Sequence, residues 1–226
     1  MQLEHVVCDL CGSASYRIRY RKPDTWLKLN LFEYPVVECT DCGLVFVNPR
    51  PTPESMAAFY PQGYHDGRNG EEFLARYTTQ RSLLPSLVGK RVLDIGCARG
   101  DFLSFLLQNE AFEAHGIDAF STKVHDSRIS FLHQRFDQSN YPTDYFDIVM
   151  SWAVFEHLHW PSLYFEEASR VLVSGGKLIV LVTNSESLYG RIAQIEDVPR
   201  HTYHYSENTL RSYAEKSGLR LTSVAF

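Results

Sequence analysis

Residues 92–103 read VLDIGCARGDFL. An apolar run ends at the acid Asp94, Gly96 and Gly100 flank a tight turn, and a helical pattern follows at once. In that pattern Phe102, Phe105 and Leu106 recur at i, i+3 and i+4 across 101–109. A glycine turn between strand and helix lets a ligand lie against backbone at the carboxyl end of a strand. The spacing G-x-x-x-G is not the G-x-G-x-x-G of dinucleotide binders, which argues against a nicotinamide cofactor. Asp118 closes the next apolar run 24 residues after Asp94, where a carboxylate can accept ribose hydroxyls.

Working outward, strands are expected at 91–95, 113–117, 130–133, 146–152, 177–182 and 220–224. Helices are expected at 101–109, at 162–171 after Pro161, and at 206–217, where Ser206 is the N-cap and Gly218 follows the end. This alternation predicts an α/β fold, a Rossmann-like, doubly wound and mostly parallel sheet. Eleven residues lie between Asp118 and Ser130, too few for a full crossover helix, so a single turn or no helix is expected there. A Pro-rich linker, helices near 53–60 and 71–87, and a Gly-rich loop at 61–70 precede the first strand. The expected organisation is a small module at 1–50, linker and N-terminal helices at 51–88, and the α/β domain at 89–226, lacking a usual last strand.

The small module carries two C-x2-C pairs, Cys8/Cys11 and Cys39/Cys42, with 27 residues between them. Two such knuckles supply four tetrahedral thiolates for a structural Zn2+. Gly12 and Gly43 follow the knuckles where backbone N–H groups can approach sulfur. Short β-like runs at 16–20, 26–31, 36–38 and 44–47 make the module a zinc ribbon. Two disulfides, or four unconnected buried thiols, are the alternatives, disfavoured by the odd Cys97 and the lack of an export signal. Residues 1–50 hold six Lys/Arg and six Asp/Glu, and the whole chain carries −5, so no basic surface for nucleic acid is expected. With 44% hydrophobic residues the chain can build a core, and it has neither a bilayer-length apolar run nor a secretory leader. A soluble, cytoplasmic protein is expected, and its oligomeric state is open.

Together these motifs resemble the class I S-adenosylmethionine-dependent methyltransferases over roughly residues 70–226. Asp94, Gly96 and Gly100 match their D-x-G-x-G-x-G motif, with Ala98 at the middle glycine position, and Asp118 matches their acidic ribose ligand. The stretch FDQSNYPTDYFDIVMSWAVFEHL resembles the next conserved region and implies Asp137 near the adenine amino group. RVLVSGGKLIV and PRHTYHYSENTLRSYAEKSGL resemble later segments. The resemblance implies S-adenosylmethionine as cofactor and S-adenosylhomocysteine as product. It also implies Tyr64 and Arg76 at the methionine end of that cofactor. CDLCG, CTDCGLVFVNPRP and YPQGYH resemble the leader of bacterial methyltransferases linked to surface glycans and deoxysugars, which implies a sugar-linked small-molecule acceptor.

An acceptor hydroxyl or acidic carbon needs a proton acceptor beside the methyl donor. After the fourth strand the chain reads Phe155-Glu156-His157, so His157 is the expected base with Glu156 assisting, and His201 is a second candidate. Ala153 replaces the first Glu of the E-x-x-E-H run that binds metal in some O-methyltransferases, which disfavours a metal-assisted hydroxyl. Two other readings remain: an rRNA or tRNA methyltransferase with a zinc ribbon, and a catalytically silent cofactor-binding scaffold.

Overall fold

The computed structural model describes residues 1–60, 71–188 and 197–225. In chain order the strands β1 (Leu3–Glu4), β2 (Tyr16–Lys22), β3 (Tyr34–Cys39), β4 (Val45–Val47) and β5 (Arg50–Pro51) lead to helix α1 (Pro53–Met56). Thr52 caps α1 by accepting the Ser55 N–H at 3.3 Å, with Pro53 supplying the preset φ of a first helical residue. Then follow α2 (Glu71–Ser82), β6 (Arg91–Ile95), α3 (Asp101–Leu106), β7 (Glu113–Asp118), β8 (Ile129–His133) and β9 (Phe146–Trp152). The chain closes with α4 (Pro161–Val171), β10 (Leu172–Leu181), β11 (Tyr203–His204) and α5 (Glu207–Lys216).

These elements pack into two compact units. One comprises residues 63–152 and 166–181. It holds a five-stranded, all-parallel sheet in the order β10-β9-β6-β7-β8, the Rossmann-like arrangement expected. β6 is central, and Val92, Leu93 and Ile95 are buried on both faces, as a strand covered on both sides must be. Phe102, Leu103 and Leu106 of α3 join Val92, Ala114, Ile148 and Met150 in its core. Gly116 of β7 lies so close to the glycine turn that a Cβ there would stand 2.6 Å from Cys97 Sγ. No helix forms between β7 and β8, as the short spacing required.

The other unit comprises residues 1–62, 153–165 and 182–226. A four-stranded antiparallel sheet, β11-β4-β3-β2, carries the cysteine knuckles, and β1 pairs with β5. Its fourth strand is unexpected: Tyr203 and His204 pair with Phe46 and Val45, far away in sequence. Two expected strands do not form. At 26–31 the Asp24 carboxylate accepts the N–H groups of Trp26 and Leu27, both at 3.1 Å, and Asn30 accepts that of Phe32 at 3.0 Å. These side-chain turns bend a segment whose composition reads as extended. At 220–224 no described strand runs alongside to share a ladder, and the segment is irregular. α5 begins with the capping box predicted at Ser206, completed by Thr209.

Replacing Gly116 by Ala is expected to destabilise the protein by about 1–3 kcal/mol through overpacking against Cys97. Urea denaturation of Gly116→Ala and of Gly116→Ala/Cys97→Ala checks this. The double variant should recover most of the loss, and equal stability of Gly116→Ala and wild type would refute the close approach.

Candidate active site

The glycine turn after β6 takes three left-handed residues, Gly96 (φ 72°), Ala98 (φ 50°) and Gly100 (φ 82°). Ala98 stands where glycine is the unstrained choice, at a cost of about 1–2 kcal/mol. Its N–H donates to Asp118 Oδ2 at 2.9 Å, which fixes the strained residue. Gly100 has no room for a side chain, because a Cβ would lie 2.8 Å from Ile129 Cδ1. Asp118 Oδ1 accepts the N–H groups of Phe120 (2.8 Å) and Ser121 (2.7 Å), so one carboxylate organises both sides of the cradle. A carboxylate offers about four lone-pair directions, and one on Oδ2 stays available to a ribose hydroxyl. Asp94, 4% exposed, is pushed well above the usual carboxylate range by burial and by the charge of Asp118. Asp137 lies on the 3-10 turn Phe136–Gln138, its oxygens paired with Arg135 at 3.0 and 2.5 Å. Arg76 is exposed on α2, and Tyr64 lies outside the described residues.

In the other unit the chain brings Glu156, His157 and His201 together, with one ligand atom of each inside a 4.8 Å spread. The two imidazole rings meet edge to face, centroids 4.6 Å apart. His157 Nδ1 is 3.2 Å from the Arg200 carbonyl and 3.0 Å from the Tyr60 hydroxyl. A carbonyl only accepts, so Nδ1 carries the proton and Nε2 the lone pair. His201 Nε2 pairs with Asp197 at 3.2 Å. Burial, then the neighbouring His201, pulls His157 down to about 3, and burial, then His204, does the same to His201. Both rings are thus neutral at pH 7.

Arg200 holds this arrangement. Its guanidinium is wholly buried, pairs with Asp197 at 3.2 Å and Asp24 at 3.5 Å, and lies 4.9 Å from the Trp26 ring centre. The turn carrying Glu156 and His157 is fixed by its backbone. Thr202 Oγ1 reaches the Glu156 and Leu158 carbonyls (3.1 and 2.6 Å), and Arg50 donates to the His159 carbonyl at 3.0 Å. Sequence reading missed Tyr60, Asp197, Arg200 and Arg50. The only signal was the i, i+4 spacing of Asp197 and His201, beside Pro199 and without a clear helical pattern.

Cys8, Cys11, Cys39 and Cys42 converge within 4.8 Å, with Sγ separations of 3.4 Å (Cys8–Cys42) and 3.5 Å (Cys11–Cys39). A disulfide needs about 2.05 Å, whereas the edge of a Zn–S tetrahedron is about 3.8 Å. The four sulfurs fit a tetrahedral ion, and all are free thiols. Gly12 (φ 76°) and Gly43 (φ 75°) close the turns with N–H groups onto the Cys8 and Cys39 carbonyls, at 2.7 and 3.0 Å, and the backbone N–H groups of Cys11, Asp41, Cys42 and Leu44 point at the cysteine sulfurs as expected. Between Cys8 and Leu10, Asp9 accepts the Ser162 N–H and hydroxyl (2.9 Å each) and the Tyr213 hydroxyl (2.9 Å).

A family profile described as a methyltransferase domain matches residues 67–224. No curated protein matches the sequence. Among solved structures the chain is similar to one from the complex between the Haloferax volcanii Trm112 methyltransferase activator and a methyltransferase. The TM-score is 0.61 and the identity 23%, covering 74% of this chain and 76% of that one. It is also similar to an S-adenosylmethionine-dependent methyltransferase of Thermotoga maritima (TM-score 0.56, 22% identity, 73% and 78% covered). A third is the S-adenosylmethionine-dependent methyltransferase of Mesorhizobium loti (TM-score 0.54, 17% identity, 66% and 82% covered). At these identities the likeness is one of fold.

His204 of β11 is 2% exposed, and neither ring nitrogen has a hydrogen-bond partner among the described residues. Burial, then Arg19, holds it down to about 3. The unfolded chain binds this proton below about pH 6.5 and the folded chain does not, so the group's contribution to stability falls as pH drops from there towards 3. Replacing His204 by Leu should make the stability lost between pH 7 and pH 5 smaller by about 2 kcal/mol. Urea unfolding at both pH values measures it, and parallel losses in the two proteins would contradict the assignment.

Proposed function

The chain belongs to the methyltransferase-domain family, and from that premise we propose that it methylates a sugar-linked small molecule with His157 as general base. The coarser statement needs no proposal: this is an S-adenosylmethionine-dependent methyltransferase of the class I fold. When bound, S-adenosylmethionine supplies an electrophilic methyl group on a sulfonium. Gly96, Ala98 and Gly100 offer backbone against which it lies, and Asp118 Oδ2 accepts a ribose hydroxyl. Asp137, Arg76 and Tyr64 complete this cofactor set by resemblance.

The observation that carries the base assignment is the bond from His157 Nδ1–H to the Arg200 carbonyl. It leaves Nε2 as the lone pair that can take a proton from an acceptor hydroxyl or acidic carbon. Glu156 assists by its charge, and His201 with Asp197 flanks the ring. A sugar-linked acceptor is supported by the likeness of the cysteine-bearing leader to those of glycan-associated methyltransferases. The ribbon holds Zn2+ through Cys8, Cys11, Cys39 and Cys42, and its free thiols suit a reducing, cytoplasmic compartment. RNA is a poor acceptor for this surface, because Arg17 and Arg19 are both paired with Glu38, at 3.1 and 3.4 Å. Among the described residues no helix is long and apolar enough to cross a membrane. A silent scaffold is disfavoured by the intact cradle and by the available lone pair on His157.

Calorimetric titration with S-adenosylmethionine, followed by assay for S-adenosylhomocysteine with nucleotide-linked deoxysugars, tests the reading. Asp118→Ala should bind the cofactor about tenfold more weakly or worse. His157→Gln should bind it normally and lose turnover. Turnover unchanged in His157→Gln would remove it as the base. Elemental analysis should find one zinc per chain, falling sharply in Cys39→Ser, and a zinc-free wild type would sink the ribbon assignment.

A further inference from the structure

Glu156, His157 and His201 each bring a metal-competent atom to one point, at the far end of the unit's sequence from the cysteine knuckles. We propose that these three side chains form a second metal site, one that takes a divalent transition ion of the Zn2+, Co2+ or Ni2+ class in competition with the acceptor.

The first argument is the orientation of the rings. A metal-bound imidazole puts one nitrogen on the ion and donates the other N–H to a carbonyl or carboxylate, which fixes ring and tautomer. Both outer partners are already in place. His157 Nδ1 faces the Arg200 carbonyl at 3.2 Å, which leaves Nε2 for an ion. His201 Nε2 faces Asp197 Oδ2 at 3.2 Å, which leaves Nδ1. Two histidines from distant parts of the chain share this disposition, one against a carbonyl and one against a carboxylate.

The second argument is an orphaned atom. His201 is 6% exposed, and its Nδ1 is buried without a hydrogen-bond partner among the described residues. A buried acceptor left without a donor costs on the order of 1–3 kcal/mol. With the rings so oriented, His157 Nε2 is also an acceptor and cannot supply the donor. Two such acceptors cannot satisfy each other by hydrogen bonding, whereas one cation satisfies both, with Glu156 in reach as a third ligand.

The third argument concerns which ion. Two imidazoles and one carboxylate are borderline donors that favour Zn2+, Co2+ or Ni2+ over Mg2+ and Ca2+, which prefer oxygen alone. Bonds of about 2.0–2.2 Å draw such ligands closer than the present spread, a shift on the order of 1 Å shared among three side chains. An ion on His157 Nε2 occupies the lone pair that the proposed proton transfer needs. The ion therefore inhibits transfer, and this consequence alone rests on the function proposed above.

The test uses the full chain with its cysteine site zinc-loaded, titrated with cobalt(II) chloride and followed by visible absorption and calorimetry. One cobalt per chain should bind with weak d–d bands and without thiolate-to-cobalt charge transfer. His157→Gln and His201→Gln should abolish the bands. Asp197→Asn leaves all three ligands in place and should weaken binding by about 10–100-fold, a loss that a purely packing role would not produce. Circular dichroism and zinc content confirm that each variant is folded. Cobalt that stays free in large excess, or that binds His157→Gln and His201→Gln as well as wild type, overturns the site. S-adenosylmethionine affinity on the same samples is independent: its absence would sink the transfer reading and leave the cobalt result standing.

Discussion

Asp118 holds the glycine turn in shape, and the cofactor side of the molecule depends on it. Three backbone N–H groups, from Ala98, Phe120 and Ser121, converge on its carboxylate, and they come from both sides of the ligand cradle. The bond to Ala98 offsets the left-handed conformation that an alanine enters at a cost of about 1–2 kcal/mol. This is how the chain keeps the family's turn without the middle glycine. Burial, and then the charge of Asp118, push Asp94 well above the usual carboxylate range. One residue thereby sets the loop conformation on both sides of the turn and helps raise the pKa of its buried neighbour.

The second unit is organised by buried cations that hold backbone in place. Arg50, with a side chain 1% exposed, ties Glu4 at 2.8 Å to the Tyr203 hydroxyl and the His159 carbonyl, both at 3.0 Å. Its charge is tolerated because its donors are used, one of them by a carboxylate. Arg200 pairs with Asp24 and Asp197 at 3.5 and 3.2 Å, while its Nε and Nη1 have no hydrogen-bond partner among the described residues. Asp9, set between two cysteine ligands, grips the first turn of α4 through Ser162. The knuckle and the histidine turn are therefore parts of one hydrogen-bonded framework. This gives the cysteine-bearing segment a physical task that needs no nucleic acid: it braces the segment that carries His157.

The sheet was legible in sequence because its signals are local. Residues 92–95 form an apolar run too short for anything but a strand, and the glycines, the C-x2-C pairs, the Thr52 cap and the Ser206 capping box each act within a few residues. What sequence hid depends on partners brought from far away. β11 is two residues long and exists only because Phe46 and Val45 offer it a ladder. The strand expected at 26–31 has a suitable composition but loses to Asp24 and Asn30, whose side chains capture nearby backbone N–H groups. The strand expected at 220–224 has the right residues and no described neighbour. At the candidate site, His157, Glu156 and His201 were readable as reactive types. The groups that decide their chemistry, the Arg200 carbonyl and the Asp197 carboxylate, were not, because a carbonyl carries no residue signature.

The histidine cluster poses a conflict that its surroundings must resolve. Burial, reinforced by His201, keeps His157 neutral at pH 7 and so always in the proton-accepting form, yet the same burial makes the imidazolium costly once formed. For the proposed role as base, a value of about 3 is poorly matched to a reaction near neutrality. The mismatch shrinks if the cation forms beside negative charge, and two carboxylates are at hand: Glu156 within the cluster and Asp197 behind His201. The Tyr60 hydroxyl, 3.0 Å from Nδ1, can accept the N–H that the imidazolium retains. Nδ1 then keeps its proton throughout while Nε2 gains and loses one, so the ring need not turn over during the cycle.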